Sequence, residues 1–320
     1  MSQLATVFGA SGFLGRHVVR ELTKRGWRVR AAVRRPYLAE HLQVFGVPGQ
    51  VQLFQANVRY PASVEDALRG ADAVVNLVGI LAETGKQTFD GVQRDGAANV
   101  ARAVRDAGIG RLVHVSAIGA DPKGASDYAR TKGQAEEAVR EAVPQAVVLR
   151  PSIVFGPQDD FFNRFGAMAR ISPALPLIGG GKTRFQPVYV DDVADAVCAA
   201  LENPVHAGQT FELGGPEVLT FKELMQLTLR VIGRRRLLAP LPFGLAGLMG
   251  RAGDLASRLP FVQAPITADQ VTLLKTDNVV AEGAAGLREL GVTPTTMDAV
   301  LPSYLYRYRK HGQFSPEVPI

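Results

Sequence analysis

The stretch that decides the fold is the apolar run Leu4–Phe8 followed by Gly9-Ala10-Ser11-Gly12-Phe13-Leu14-Gly15. It joins a strand to a helix through three glycines spaced three residues apart. The first glycine permits a tight turn, the second lets a pyrophosphate approach the backbone, and the third lets the helix pack closely on the strand. The helix then offers unpaired N–H groups and a partial positive charge to phosphates. The pattern predicts a dinucleotide-binding loop; the alternative is a strand–helix turn that binds no ligand.

Short β-branched apolar runs alternate with longer amphipathic segments through the first half of the chain. The predicted strands are Leu4–Phe8, Arg28–Val33, Val51–Phe54, Ala73–Val78, Arg111–Val115 and Ala146–Leu149. The predicted helices are Phe13–Arg25, Ser63–Leu68, Thr88–Ala107 and Tyr128–Glu141. This alternation indicates an α/β protein with a doubly wound parallel sheet of the Rossmann type, covered by helices on both faces.

The rhythm changes after Pro151, where prolines and glycines become frequent. We expect residues 1–150 to form the NAD(P)-binding Rossmann domain. We expect residues 151–320 to supply separated segments that complete the sheet and form a smaller C-terminal α/β lobe, which docks a substrate or a partner. The segments predicted there are a helix at Asp191–Glu202, a strand at Gln209–Leu213, a helix at Phe221–Ile232 and a proline-broken apolar stretch at Leu237–Pro265.

Composition bounds the class of protein. Of 320 residues, 47% are hydrophobic and 21% are charged, as is usual for a soluble globular chain. The single cysteine, Cys198, excludes an internal disulfide, and its helical setting predicts a buried thiol without a chemical role. No apolar run approaches the ~20 residues that span a bilayer. Because a strand is predicted to begin at Leu4, we expect no signal or transit peptide.

The net charge of +6 is concentrated in a few runs. Each run is consistent with solvated surface charge or with contact to phosphates, anionic lipid or an acidic partner. No nucleic-acid-binding motif accompanies them, so we expect no nucleic acid partner. We also predict no metal site. The runs are Arg34-Arg35, Arg234-Arg235-Arg236 and Arg307 to Lys310.

The end of the second strand indicates which dinucleotide binds. NAD sites usually carry an acidic residue there, which accepts hydrogen bonds from the adenosine ribose. This chain has Arg34 and Arg35, and its first following carboxylate is Glu40. Two guanidinium groups suit a 2′-phosphate and leave a bare ribose diol without an acceptor. The sequence therefore favours NADPH (or NADP+) over NAD(H); the alternative is that one or both arginines only face solvent.

A tyrosine and a lysine, Tyr128 and Lys132, lie one helical turn apart at the start of the helix after the fifth strand. On one helix face, the ammonium can hold the nicotinamide ribose and lower the pKa of the phenol for proton transfer. This position favours a cofactor contact over a chance pairing.

These motifs resemble the short-chain dehydrogenase/reductase superfamily, in its extended and atypical branches. Further matching pieces are Leu149 to Pro157 and Pro187 to Ala194. The resemblance implies that Pro151 and Ile153 lie over the nicotinamide. It also implies that four residues line the adenine and ribose: Asn57, Val58, Val78 and Gly79. The superfamily usually has Asp where Asn57 stands.

The sharper departure concerns the superfamily's catalytic serine or threonine, which follows the fifth strand and polarises the substrate carbonyl. Here that strand ends Val115-Ser116-Ala117. Alignment puts Ala117 at the catalytic position, with Ser116 beside it as a cofactor contact or, with a shift of one residue, a substitute. The cofactor site is expected to be intact, whereas turnover is left open.

Within the superfamily, other segments resemble the accessory subunits of respiratory complex I called alpha-subcomplex subunit nine. The resemblance implies NADPH held mainly for structural reasons, with complex I core subunits as partners where the peripheral arm meets the membrane. It implies a peripheral protein on the cytoplasmic face of a bacterial inner membrane, or on the matrix side if the chain is a processed mitochondrial one. The segments are Asp127–Lys132, Arg150–Phe162, Gln186–Val190, Leu238–Phe243 and Pro265–Val271.

An apolar surface rimmed by arginines fits such a location. Leu237–Met249 and Phe261-Val262 are apolar, and Arg234–Arg236, Arg251 and Arg258 flank them. This composition suits a membrane surface with anionic lipid or a protein groove, and equally a lobe that buries these residues on the Rossmann domain.

Three functions remain open from sequence. The first is an NADPH-loaded accessory subunit of complex I without turnover. The second is an NADP(H)-dependent reductase, dehydrogenase or epimerase that uses Tyr128 as acid/base with Lys132, assisted by Ser116. The third is a redox-sensing regulator on the same fold.

Overall fold

The computed structural model describes residues 2–256 and 266–315. They divide into two compact units. The first is drawn from Met1–Pro151, Asp191–Leu213 and Gly283–Thr293, and the second from Ser152–Val190, Gly214–Glu282 and Pro294–Ile320. Part of the predicted docking surface, namely Arg258, Phe261 and Val262, lies outside the described residues.

The strands, in chain order, are β1 (Leu4–Phe8), β2 (Arg28–Val33), β3 (Val51–Gln55), β4 (Ala73–Asn76), β5 (Leu112–Val115), β6 (Val147–Pro151), β7 (Val154–Phe155), β8 (Ala174–Ile178), β9 (Arg184–Phe185), β10 (Val188–Tyr189), β11 (Thr210–Leu213), β12 (Leu219–Thr220) and β13 (Leu237–Leu241). The α-helices are α1 (Phe13–Lys24), α2 (Pro61–Leu68), α3 (Asp95–Asp106), α4 (Asp127–Ala142), α5 (Phe161–Ile171), α6 (Val190–Glu202), α7 (Phe221–Val231), α8 (Phe243–Ala256), α9 (Ala268–Leu273) and α10 (Met297–Leu305). A π-helical turn, Asp90–Arg94, precedes α3.

The first unit is built on a seven-stranded sheet in the order β11-β6-β5-β4-β1-β2-β3. Every neighbouring pair is parallel. The strand order reverses at β1, which lies between β4 and β2, and open α/β sheets bind ligands at the carboxyl ends of strands at such a point. The predicted α/β doubly wound Rossmann sheet is therefore confirmed, with strand bounds within about two residues of those predicted.

The core of this unit explains why its helices form. Valines and alanines of α3 and α4 pack with the sheet, so each helix buries one apolar face. Helix α4 begins where the Ser126 hydroxyl accepts a hydrogen bond from the backbone N–H of Ala129. A Cβ at Gly133 would lie 2.2 Å from the Pro122 nitrogen, so this glycine allows α4 to pass against the preceding loop. The start of α4 is thus held closely in position.

The second unit has an aromatic core, in which Phe161 contacts Phe162, Phe165, Phe185 and Phe221 edge-on or tilted. The tail Tyr304–Lys310 begins in this core, because Tyr304 and Leu305 belong to it.

Hydrogen bonds hold this tail on the rest of the second unit. The Tyr304 hydroxyl donates to the buried Asp159 carboxylate. Arg309 donates to the Val231 carbonyl oxygen, and Arg234 donates to the Tyr308 carbonyl oxygen. Two of the basic runs noted in the sequence are therefore partly used for packing within this unit.

The described part of the Leu237–Pro265 stretch forms a strand and a helix despite its prolines. Its first residues form β13, parallel to β8, and α8 starts directly after Pro242, where a proline costs no helical hydrogen bond. Four large apolar side chains are exposed there: Leu237, Leu245, Leu248 and Met249. Among the described residues, no helix is both long and apolar enough to cross a membrane.

Replacing Gly15 with alanine tests the constraint on the first turn. The added Cβ would lie 2.2 Å from the Gly9 carbonyl oxygen and 2.6 Å from that of Ala10, both backbone atoms. We expect Gly15→Ala to lower the free energy of unfolding by about 1–3 kcal/mol, the usual cost of overpacking, measured by urea denaturation. Gly247→Ala is the matched helical control, because nothing lies within 4 Å of its added Cβ. An unchanged midpoint for Gly15→Ala would contradict the crowding.

Candidate functional site

The turn between β1 and α1 has the geometry of a phosphate-binding loop. Gly9 has φ +82°, a backbone conformation that residues with a side chain rarely adopt. The Gly12 N–H donates to the Gly9 carbonyl oxygen at 3.0 Å and closes the turn. No side chain caps the amino end of α1. Its first-turn N–H groups are therefore available to an anion.

A pocket of about 200 Å³ opens at this turn. It lies where the carboxyl ends of β1, β2, β3 and β4 meet, which is why the strand alternation could locate it. The predicted cofactor residues that line it are Gly9, Ser11, Gly12, Arg34, Asn57, Val58, Val78 and Gly79. Sequence reasoning missed further lining residues: Phe8, Ala32, Val33, Ala56, Arg59, Leu77, Ile80, Gln87 and Val92. Most of these flank strand ends, which is a usable signal; Arg59 and Gln87 come from loops and had none.

Of the other predicted cofactor residues, four lie at or beneath the turn, one lies at the end of β6 and one belongs to the second unit; none of them lines this pocket. Ala10 and Gly15 are buried beneath the turn, and Phe13 and Leu14 are half-buried at the start of α1. Pro151 is buried at the end of β6. Ile153 is half-buried in the second unit, where its carbonyl oxygen accepts a hydrogen bond from Val188.

Two guanidinium groups follow β2. Arg34 and Arg35 are exposed, and within the described residues neither guanidinium has a hydrogen-bond or ion-pair partner. Arg34 lines the pocket, whereas Arg35 does not. By contrast, Arg59 is engaged, since it donates to the Asn57 side-chain oxygen and to the Lys86 carbonyl oxygen. An unpaired cation at the pocket edge fits a bound phosphate.

Lys132 lies at the carboxyl end of the same sheet. It is 4% exposed, and its Nζ donates to the Val115 carbonyl oxygen at 3.1 Å. A Cβ at Gly79 would come 3.2 Å from this Nζ, so the lysine reaches the pocket-lining segment after β4. Burial lowers the pKa of Lys132 to about 8, against the opposing effect of Glu136.

Gln93, which sequence reasoning did not single out, lies beside this lysine. It belongs to the π-helical turn before α3 and is 2% exposed. Its Nε2 donates to the Thr131 hydroxyl at 3.0 Å, while its Oε1 has no hydrogen-bond partner. A π-helical turn is a frequent mark of functional positions, but no sequence pattern revealed this one.

Tyr128 and the residues after β5 complete the predicted catalytic set. Tyr128 is half-buried, and its ring packs edge-on against Phe89 at 6.0 Å. Ser116 is 3% exposed, and its hydroxyl faces Glu136 with no hydrogen-bond partner within 3.5 Å. Ala117 is also buried and carries no polar group.

Glu136 is the second residue that sequence reasoning missed. It is 1% exposed, and it accepts hydrogen bonds from Arg150 Nε at 2.9 Å, Arg150 Nη2 at 2.7 Å and Arg140 Nη2 at 3.0 Å. Burial acts to raise the pKa of Glu136, but its arginine partners outweigh burial and lower it. The signal in the sequence was its spacing, four residues beyond Lys132, which repeats the spacing from Tyr128 to Lys132.

His114 lies next to this group of charges. Burial, followed by the Lys132 ammonium, lowers the pKa of His114 to about 3, so the imidazole is neutral. Its Nδ1 lies 3.2 Å from the Asn76 amide nitrogen. His114 is therefore a neutral buried group near Lys132.

Together these features can hold a dinucleotide that carries a pyrophosphate and one further phosphate. The glycine turn suits a pyrophosphate, Arg34 suits a further phosphate, and the buried Lys132 suits ribose hydroxyls. Among the residues that the structure describes, no group of three or more His, Cys, Asp or Glu side chains could hold a metal ion.

Comparisons with known proteins agree with this geometry. Residues 5–214 match the model of the NAD dependent epimerase/dehydratase family. The chain is 36% identical over 97% of its length, and 79% of the relative's, to the mitochondrial NADH dehydrogenase (ubiquinone) 1 alpha subcomplex subunit 9 of Arabidopsis thaliana. It is 34% identical over 98% of its length, and 83% of the relative's, to the protein of that name from Rattus norvegicus.

A solved structure shares the fold. It is a dTDP-glucose 4,6-dehydratase from Streptomyces venezuelae, determined with NAD bound, and it matches with a TM-score of 0.70 at 20% identity. The match covers 98% of this chain and 99% of that one. The family match and the two full-length relatives lead to one conclusion: the chain belongs to the NAD-dependent epimerase/dehydratase family and is homologous to the alpha subcomplex subunit 9 proteins of complex I.

Proposed function

We propose that this protein is an NADPH-binding accessory subunit of respiratory complex I in which the nucleotide serves mainly to stabilise the fold. The observation that carries the proposal is its similarity, along nearly the whole chain, to subunits of that name. The unpaired Arg34 at the edge of the glycine-turn pocket supports NADPH rather than NADH.

Each part of the nucleotide has residues suited to it. The backbone from Gly9 to Gly15 holds the pyrophosphate, and Arg34 with Arg35 holds the 2′-phosphate. Asn57 and Val58 border the adenine, and Lys132 with Tyr128 borders the nicotinamide ribose. The remaining contacts proposed within the first unit are Val78, Gly79, Ser116 and Pro151. When bound, NADPH could supply a hydride; the residues of this chain position it and exclude water.

A structural rather than reactive role for the nucleotide rests on the residues after β5. The Ser116 hydroxyl faces the buried Glu136, and Ala117 has no hydroxyl to polarise a carbonyl. Losing one such donor typically costs a factor of about 10²–10³ in rate. A bound nucleotide still stabilises the folded state in proportion to its affinity.

The partners that we propose are core subunits of complex I where the peripheral arm meets the membrane, together with anionic lipid. The exposed Leu245, Leu248 and Met249 of α8 and the neighbouring exposed Arg251 support this location. The corresponding place is the cytoplasmic face of a bacterial inner membrane or the matrix side of a mitochondrial one.

Single replacements of Arg34 and Arg35 test the nucleotide preference. We expect Arg34→Ala to weaken NADPH binding by about 10- to 100-fold and NADH binding by less than about threefold, because NADH lacks the 2′-phosphate. Arg35→Ala should have the smaller effect, since Arg35 does not line the pocket. The measurement is calorimetric titration, with the exposed Arg105→Ala as control. Equal losses for both nucleotides would remove the basis for the NADPH preference.

Isolation from native membranes tests the partner. Affinity purification of the full chain should recover complex I core subunits, and denaturing the purified protein should release about one NADPH per chain. An Arg34→Ala chain should release less NADPH under the same conditions. Recovery without complex I subunits would refute the assignment to the complex, whichever nucleotide is released.

A second candidate function is an NADP(H)-dependent reductase, dehydrogenase or epimerase. It is favoured by the placement of Tyr128 and Lys132 one turn apart on α4. Purified protein with NADPH and ketones, quinones or nucleotide sugars would then change absorbance at 340 nm, the band of the reduced nicotinamide. The change should fall at least about 100-fold in Tyr128→Phe, which lacks the acid. We expect no such Tyr128-dependent change if the nucleotide is structural.

A further inference from the structure

Lys132 is a buried cation with little local compensation. Its Nζ donates a hydrogen bond to the neutral Val115 carbonyl oxygen. An ammonium so far out of water loses its proton readily unless an opposite charge is near. The carboxylate that acts on it is Glu136, one turn further along α4.

Glu136 is itself held firmly. Arg150 from β6 donates two hydrogen bonds to it, and Arg140 from the next turn of α4 donates a third. Arg140 also donates to the Thr210 hydroxyl of β11. These hydrogen bonds hold the Glu136 carboxylate toward the two arginines. Glu136 therefore acts as a negative charge held in one place.

Two cations are bound to this carboxylate. Arg150 is further paired with Glu212 at 3.4 Å, whereas among the described residues the ion-pair partner of Arg140 is Glu136. Removing the charge of Glu136 would leave Lys132 near uncompensated guanidinium groups. The neutral His114 of β5 is a further titratable neighbour of Lys132, and Tyr128 lies one turn earlier on α4. The segment after β4 brings Gly79 close to the Lys132 Nζ, and the π-helical turn brings the neutral Gln93 close to the same glycine.

Building on the proposed function, we propose that Glu136 is a positioning residue whose fixed charge keeps Lys132 protonated, so that its ammonium can hold the nicotinamide ribose of the bound nucleotide. Glu136 touches no part of the nucleotide. The charge of Glu136 thereby sets the alkaline limit of nucleotide binding, which is the pH above which the affinity for the nucleotide falls.

The sign of the effect follows from the lysine. Below its pKa of about 8, Lys132 is charged and donates to ribose hydroxyls; above it, this interaction weakens and affinity falls. In Glu136→Gln the charged lysine is less stable, so affinity should fall at a lower pH. At the effective dielectric constant of partly buried sites, a charge one helical turn away changes the pKa of its neighbour by about one unit or more.

The experiment measures NADPH affinity by calorimetry from pH 6 to pH 9.5. In Glu136→Gln the pH of half-maximal affinity should move down by about one unit or more. Glu136→Asp, which retains the charge, should restore most of the wild-type limit. Glu212→Gln is the matched control, because it removes another carboxylate bound to Arg150 that does not act on Lys132. That control should keep the wild-type limit.

Adenosine 2′,5′-bisphosphate separates this role from a general structural one. It carries the adenosine phosphates of NADPH but no nicotinamide ribose, so its binding should show no shift in Glu136→Gln. If that single variant does not fold, Glu136→Gln with Arg150→Met removes the ion pair together, which buried sites often tolerate, and should show a smaller shift in the same downward direction.

An unshifted limit for NADPH in the folded variant, or an equal shift for the bisphosphate, would overturn the role of Glu136 alone. Absence of NADPH binding by the unaltered protein would overturn the proposed function as well. The two failures are therefore distinguishable.

Discussion

The first unit depends on how closely α1 approaches the turn that follows β1. Gly15 lies so near the carbonyl oxygens of Gly9 and Ala10 that it has no room for a methyl group. This contact fixes the direction in which α1 leaves the sheet, and hence where its free N–H groups point. Since β1 lies between β2 and β4, the same contact brings the loops after those strands around one pocket.

A second constraint comes from α4, which carries charge into the interior. Lys132 and Glu136 are both nearly inaccessible to water, and buried charges persist only when they are paired or hydrogen-bonded. Arg150 and Arg140 meet that condition for Glu136. The packing of α4 on the sheet therefore depends on these ion pairs.

The sequence was sufficient for the fold because its signals are periodic and local. Leu4–Phe8, the glycines after it and the alternation to residue 150 required only strand and helix periods. Arg34 and Lys132 could be identified from the sequence for the same reason, since each stands at a fixed place relative to a strand or helix end. The nucleotide preference and the site contacts remain predictions.

What could not be read from the sequence depends on distant pairings. Gln93 is placed by a π-helical turn, whose extra residue leaves no period to detect. Arg150 meets Glu136 across α4 and β6, and Tyr304 meets Asp159 across 145 positions of the chain. The described apolar residues after Leu237 form a strand and a helix because β8 provides a partner, which the prolines concealed.

The sheet of the first unit has a consequence for folding during translation. Its edge strand β11 pairs with β6 and is covered in turn by Gly283–Thr293, where the Glu212 N–H donates to the Ala285 carbonyl oxygen. As the chain leaves the ribosome, β6 emerges long before either of these segments, and an unpaired strand edge invites association with other chains. The nascent protein therefore carries an open edge until Gly283–Thr293 has been made, and a chaperone would matter during that interval.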